Sequence, residues 1–314
     1  MKKLLFACSM MASAMMANAQ ESRTEYNFLR LPVSAHAAAL GGDNITLVED
    51  DATLIFSNPA LLQSVSHQSI TLGYMNYMRG ANTASASYTH VVKEKATVAV
   101  SAQYMDYGKM KEMNAEGIQT GEFSARDINV GAYLSYDLAK NLAGGITAKF
   151  IASYIGQYNS LAMGVDLGIN YFDPERQWSL SAVAKNLGGQ LKAYDDELER
   201  MPFDLLVGVS KRLVGAPFRL HATLSDLTNW DYRFVNHLSA GVDILLSDNI
   251  WVGAGYNFRR ADEMKIQSND EESSHGAGFS FGAGLTLERI RLHVGYAKYH
   301  VSSSSLLVNF AFTL

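Results

Sequence analysis

The sequence predicts an all-β protein: a 14-stranded antiparallel transmembrane β-barrel over residues 66–314, preceded by an N-terminal hatch or plug segment over residues 20–65. Three observations predict it. From about Ser66 onward, apolar residues alternate with small or polar ones at a period of two. Successive strand side chains point to opposite faces, so this pattern marks strands with one apolar and one polar surface. The alternating segments form an even set, and most approach the ~9–11 residues that a tilted strand needs to cross a bilayer. The connections between them also sort into short turns and long loops by parity, as they do in outer-membrane barrels.

Composition narrows the class. Of 314 residues, 48% are hydrophobic, 11% aromatic and 18% charged, with a formal net charge of −5. A disordered or nucleic-acid-binding chain is excluded on those figures. Beyond the N-terminus no continuous apolar run is long enough for a membrane helix, which leaves strands as the means of crossing a bilayer.

The first element is a secretory signal. Lys2 and Lys3 form a basic start, Leu4 to Met16 an apolar core, and Ala17-Asn18-Ala19 a small-residue cleavage site with the cut before Gln20. A lipobox reading of Leu5-Phe6-Ala7-Cys8 leaves only Leu4 to Ala7 as apolar core, which is too short. Cys8 is the single cysteine, so the mature chain carries no thiol, disulfide or cysteine-ligated metal. Cleavage also takes Lys2 and Lys3 from the basic residues, which makes the mature chain more acidic.

The strands are expected at 66–78, 80–91, 95–106, 126–137, 141–156, 158–172, 177–186, 202–213, 217–225, 235–246, 249–260, 275–288, 290–300 and 303–314. In the sixth, Leu161, Met163, Val165, Leu167, Ile169 and Tyr171 form one face, and Ala162, Gly164, Asp166, Gly168 and Asn170 the other. After the even strands come short turns such as Lys140-Asn141 and Ser247-Asp248-Asn249. The longest connections, 107–125, 187–201, 226–234 and 261–274, all follow odd strands. That parity places the short turns, with the N-terminal region, in the periplasm. The last strand, with Leu306, Val308, Phe310, Phe312 and Leu314 on one face, is expected to pair with the first, because an open edge in lipid leaves backbone groups unpaired. The lumen face carries Lys149, Asp166, Lys185, Asp204, Arg219, Asp243, Arg259 and Arg291, which are expected to pair with one another.

Residues 20–65 do not alternate. An Ala-rich stretch ends in Leu40-Gly41-Gly42 and suggests a compact turn or short helix. The acidic Asp50-Asp51-Ala52 and then Asn58-Pro59-Ala60 follow, the latter marking a turn. A segment of this length either caps a barrel from the periplasm or fills it.

These three elements, at Ala37–Gly42, Asp50–Ala52 and Asn58–Ala60, resemble the hatch of FadL-like outer-membrane proteins, a family of 14-stranded barrels. The chain is shorter than the long-chain fatty-acid transporters of that family, and its longest connections are modest. Within the group, Tyr26 to Ser34 resembles the start of the PorQ family of the type IX secretion system of Bacteroidetes. That resemblance implies a non-enzymatic barrel that anchors a PorZ-like surface protein and works with PorV, PorU and lipopolysaccharide in attaching secreted cargo to the cell surface. The wider resemblance implies the alternative, a channel for uptake of hydrophobic small molecules.

Catalytic chemistry is absent from the pattern. The eight His residues are scattered, with no pair at a metal-site spacing, and there is no G-x-S-x-G elbow or phosphate loop. Ser247-Asp248-Asn249 matches a penicillin-binding motif by letters only and reads as a turn. His293 alternates with Leu292 and Val294 and so faces the lumen, away from the outer face that barrel phospholipases use. No cofactor, no metal and no catalytic residue are expected. The long connections are instead expected to gather on the extracellular rim as an acidic surface, with Asp195, Asp196, Glu197 and Glu199 as the candidate partner-docking cluster.

Overall fold

The computed structural model describes residues 24–314 apart from 79, 94, 116, 269–270, 274–275 and 301–302. The signal segment 1–19, its cleavage site and Cys8 lie outside the described residues. Fourteen antiparallel strands close into one barrel. They are β1 (Ser69–Met78), β2 (Ala81–Lys93), β3 (Ala96–Met113), β4 (Gln119–Ala139), β5 (Leu142–Ile155), β6 (Tyr158–Asp173) and β7 (Trp178–Lys192). There follow β8 (Asp204–Arg212), β9 (Phe218–Leu224), β10 (Leu238–Leu245), β11 (Ile250–Asn257), β12 (Phe279–Thr286), β13 (Ile290–His300) and β14 (Ser303–Thr313). Each strand pairs with its sequence neighbours, and β14 returns to β1 in register from Ser69↔Thr313 to Asn76↔Leu306. Closure leaves no open edge, as a lipid-facing sheet requires.

The period-two pattern becomes two surfaces. On β4, Val130, Leu134 and Tyr136 face outward, while Asn129, Tyr133 and Ser135 are buried toward the lumen. Large aromatics mark both ends of the outer wall. Tyr74, Tyr104, Tyr154 and Tyr296 lie toward the long-loop end, and Tyr136, Tyr171 and Trp178 toward the short-turn end. Amphipathic rings favour the two membrane–water interfaces, so this banding is what a spanning barrel needs.

Four segments differ from the sequence expectation. The connection 107–125 is mostly sheet, because β3 and β4 keep pairing from Lys109↔Ser124 to Met113↔Gln119 and leave a turn at 114–118. β7 likewise runs on to Lys192, with a register break opposite Val165 and Leu167 that leaves Asn186 at φ +59°. β11 stops at Asn257, whose side chain accepts a hydrogen bond from the Arg260 N–H (2.8 Å) and starts a helix over Phe258–Glu263. Arg259 therefore sits on that helix and not on a strand face. Its connection to β12 also holds a small hairpin, Ile266–Ser268 with Glu271–Ser273. Finally, β10 begins at Leu238, after a 3-10 turn over Phe234–His237.

The N-terminal segment fills the lumen. Its pieces are a 3-10 turn (Asn27–Arg30), a helix (Ala35–Ala39) and two further 3-10 turns (Ala52–Phe56 and Pro59–Ser64). It enters from the long-loop end, opposite to the periplasmic start expected from parity. The Glu25 N–H donates to the Arg200 carbonyl in the β7–β8 connection (3.0 Å). Tyr26, Phe28 and Leu29 bury themselves with Met105, Ile151 and Met201. That apolar cluster is the physical reason for the entry point, since burial of large apolar side chains outweighs any preference of the loop for solvent. The segment then runs down the lumen and leaves at the short-turn end, where the Ser66 N–H donates to Asp50 (2.7 Å) just before β1.

Candidate functional site

The hatch is held in the lumen by local caps, by close backbone approach and by ions. The Ser34 hydroxyl caps the Ala35–Ala39 helix at Ala37 N (3.3 Å). At its other end Gly41 and Gly42 take φ values of +108° and +104°, and the Gly42 N–H returns to the Ala37 carbonyl (2.9 Å). Only glycine adopts this backbone without strain, which explains the Leu40-Gly41-Gly42 element as a helix stop. Asp51 accepts from the N–H (2.8 Å) and hydroxyl (2.7 Å) of Thr53 and so starts the second turn. Asn58 starts the third, accepting from the Ala60 N–H (2.9 Å), with Pro59 in the first helical position. Its amide also donates to the Ile45 carbonyl (3.1 Å).

At several places where the hatch presses closest on the wall, the wall residue is glycine. A Cβ at Gly145 would lie under 3.0 Å from Pro59 and Ala60 backbone, one at Gly168 from Asn58, and one at Gly255 from Leu40 and Gly41 backbone. Gly241, Gly282 and Gly295 meet Leu40, Ala39 and Ala35 in the same way. These are the small residues of the inner face, and they allow strand backbone and hatch backbone to meet.

An ionic cluster clamps the same contact. His36, at the buried start of the hatch helix, sits between two carboxylates. Its Nδ1 is 2.9 Å from Glu49, also in the hatch, and its Nε2 is 2.9 Å from Asp243 on β10. A neutral imidazole donates from one nitrogen only, so this geometry calls for the imidazolium. His36 lies in the hatch, outside the spanning strands. Burial by itself lowers its pKa, but Glu49 and Asp243 outweigh burial and raise it to about 9. Burial pushes the Glu49 carboxyl up, while Arg219 and His36 outweigh it and hold the group well below the usual carboxylate range. Arg219 joins Asp243 (2.7 Å) to Glu49 (2.5 Å), and His221 Nε2 lies 2.9 Å from Asp243. The His36 ring stacks on Trp251 with centroids 3.5 Å apart. Nearby, Arg291 pairs with Asp50, and His293 Nδ1 lies 3.4 Å from Asp51.

The lumen charges were expected to pair with one another, and the structure divides them. Lys149 and Asp166 pair within the wall (2.6 Å), with Asn186 accepting from Lys149 (2.9 Å). Arg219, Asp243 and Arg291 pair with the hatch as well. Arg259 pairs with Asp226 (2.6 Å) and Glu263 (2.7 Å) above the barrel. Asp204 accepts from the Asp226 N–H (2.6 Å). His36 and Glu49 were not singled out by sequence, because their wall partners Asp243 and Arg219 lie 207 and 170 residues away along the chain. Among the described residues, no group of three or more His, Cys, Asp or Glu is arranged to hold a metal ion.

Two vestibules open from opposite ends. At the long-loop end a cavity of about 270 Å³ is lined by Leu29, Leu31, Pro32, Tyr77, Lys185, Met264 and Tyr299, among others. It narrows to a space of about 20 Å³ that reaches Phe56, Ser57 and Asn129. At the short-turn end a cavity of about 540 Å³ reaches Val48, Ala60 and Gln63. Hatch residues 56–60 lie between them, with Phe56 and Ser57 on one side and Ala60 on the other. The expected docking residues Asp195, Asp196, Glu197 and Glu199 lie exposed on the β7–β8 connection, far from those hatch residues in the fold. The Glu199 N–H donates to Gln190 (2.5 Å), which ties that connection to β7.

No protein-family model matches the sequence, and no curated protein does. Solved structures resemble the fold. The toluene transporter TodX of Pseudomonas putida aligns with a TM-score of 0.59 at 13% identity, over 88% of this chain and 95% of its own. The CymD monoaromatic hydrocarbon channel aligns at 0.58 and 13%, over 90% and 97%. A Pseudomonas aeruginosa FadL homologue aligns at 0.50 and 11%, over 90% and 96%. At these identities the likeness is one of fold, and the fold is that of the FadL-type barrels.

Proposed function

We propose that this FadL-fold barrel is a non-enzymatic outer-membrane channel for small hydrophobic compounds, closed in its resting state by the hatch. The observation that carries the reading is the hatch between two vestibules: Phe56 and Ser57 line the space at one end, and Ala60 and Gln63 the cavity at the other. Ion pairs, hydrogen bonds and apolar contacts hold the hatch against the wall, and on this reading its displacement joins the vestibules. The likeness to a toluene transporter and a monoaromatic hydrocarbon channel supports the substrate class. With the long loops extracellular, as outer-membrane barrels carry them, a solute enters past Leu29, Leu31 and Met264. The test is uptake of radiolabelled toluene by cells with and without the protein. Faster uptake supports a channel, and equal rates overturn it.

One set of observations favours a second reading, the type IX secretion anchor implied by the resemblance of residues 26–34. The narrow space beside the hatch is lined by Arg30, Asp43, Lys149 and Lys185 as well as by apolar residues, and the Asp195, Asp196, Glu197 and Glu199 cluster is exposed to a surface partner. On this reading a PorZ-like protein docks on the long loops, with PorV, PorU and lipopolysaccharide as further partners. Pull-down from outer membranes tests it: recovery of a PorZ-like protein supports the anchor, and its absence counts against it.

A further inference from the structure

We propose that the β9–β10 connection, residues 225–237, seats in the membrane interface at the long-loop end and completes the apolar band where the barrel wall is lowest. Five consecutive wall strands are short. β8 has 9 residues, β9 has 7, and β10, β11 and β12 have 8 each, against 14 in β5 and 16 in β6. At ~3.3 Å per residue and a tilt of ~40°, seven residues rise roughly 18 Å, short of an apolar band of ~25 Å. The connection above β9 supplies apolar surface at that height. Trp230 is 62% exposed, Phe234 63% and Val235 40%.

Part of the connection's backbone is hydrogen-bonded within the protein, which lowers the cost of leaving water. The Ser225 N–H donates to the His237 carbonyl (2.9 Å), Leu227 to Leu205 (3.1 Å), Asn229 to Asp226 (3.0 Å) and Asn236 to Arg233 (2.8 Å). Two of its polar side chains turn inward: the Asn236 amide donates to Asp262 (2.8 Å), and His237 is buried beneath the Trp230 ring at 5.1 Å. Thr228, Asp231 and Arg233 are exposed beside Trp230 and Phe234, a mixture of charge and aromatic surface that suits the headgroup level and not the acyl core. An indole with a polar edge and an apolar body is the residue type of membrane interfaces. The occupant of this surface is therefore the lipid of the adjacent leaflet. A protein partner is the rival occupant.

The test places a cysteine-attached fluorophore at Trp230→Cys or Phe234→Cys in a Cys8→Ser background. The purified protein is reconstituted in phosphatidylcholine vesicles with brominated acyl chains. Val252→Cys on the outer wall and Asp195→Cys on the β7–β8 connection are the reference sites. The expected result is quenching at 230 and 234 at least half of that at 252, with little at 195. Quenching at 230 and 234 no greater than at 195 overturns the proposal. So does a label that is wet in these vesicles and shielded only in native outer membranes, which assigns the loop to a protein.

Discussion

Single residues decide whether the hatch can sit in the lumen. Gly145 and Gly255 face hatch backbone, which cannot move aside as a flexible side chain can. Gly145→Ala and Gly255→Ala are each expected to cost about 1–3 kcal/mol through overpacking. Gly189→Ala, with open space around it, is expected to stay within about 0.5 kcal/mol. Denaturant unfolding of the refolded barrel measures all three. His36 adds a pH dependence. Its folded pKa of about 9 lies above the ordinary value near 6.5, so its contribution is fully present below about 6.5 and is lost as pH rises through about 9. Corrected for the intrinsic base-catalysed rise in exchange, the protection factors of the Ala35–Ala39 amides are expected to fall over that window in the wild type and to stay level in His36→Asn. The inner-face glycines were legible in the sequence only as small residues. Which of them touch the hatch depends on register around the barrel, and no local pattern carries that.

Elements were legible in proportion to how different their two sides are. Along β4 and β6, lipid lies on one side and the packed lumen on the other, so alternation marks those strands clearly. Beyond Gly108 most residues of the β3–β4 hairpin are exposed on both faces, alternation loses its cause, and the sequence reads as a loop what the structure holds as strand. The Phe258–Glu263 helix was hidden for a different reason: its start depends on the Asn257 side chain and follows directly on a strand pattern. The hatch helix stop and the turn at Asn58-Pro59 were legible because Gly41, Gly42, Asn58 and Pro59 are local signals; the turn that Asp51 starts was not read as one, and the entry of residues 24–31 from the long-loop end rests on contacts with distant strands. Within the wall, the buried Lys149–Asp166 pair gives an element-scale prediction. Lys149→Met leaves Asp166 unpaired and is expected to cost about 3–5 kcal/mol, and the double variant with Asp166→Leu to recover most of it. Neutralising Asp195, Asp196, Glu197 and Glu199 together is expected to leave the unfolding midpoint unchanged, because all four are exposed. A surface partner lost on that variant would place docking on the β7–β8 connection.

At the scale of the whole molecule, closure of the barrel and filling of its lumen are one design. The wall has no edge, the inner face is cut back to glycine under the hatch, and ions on β10 and β13 hold what the glycines admit. The central claim is that hatch movement alone joins the two vestibules. It is tested most directly by cross-linking hatch to wall, with Ala60→Cys and Ser135→Cys in a Cys8→Ser background, at a site where the Ser135 hydroxyl already donates to the Ala60 carbonyl (3.2 Å). Uptake of radiolabelled toluene is then measured oxidised and reduced. The account predicts that the oxidised protein falls to the rate of cells lacking the barrel and that reduction restores the wild-type rate. Equal uptake by the oxidised and reduced forms would contradict it.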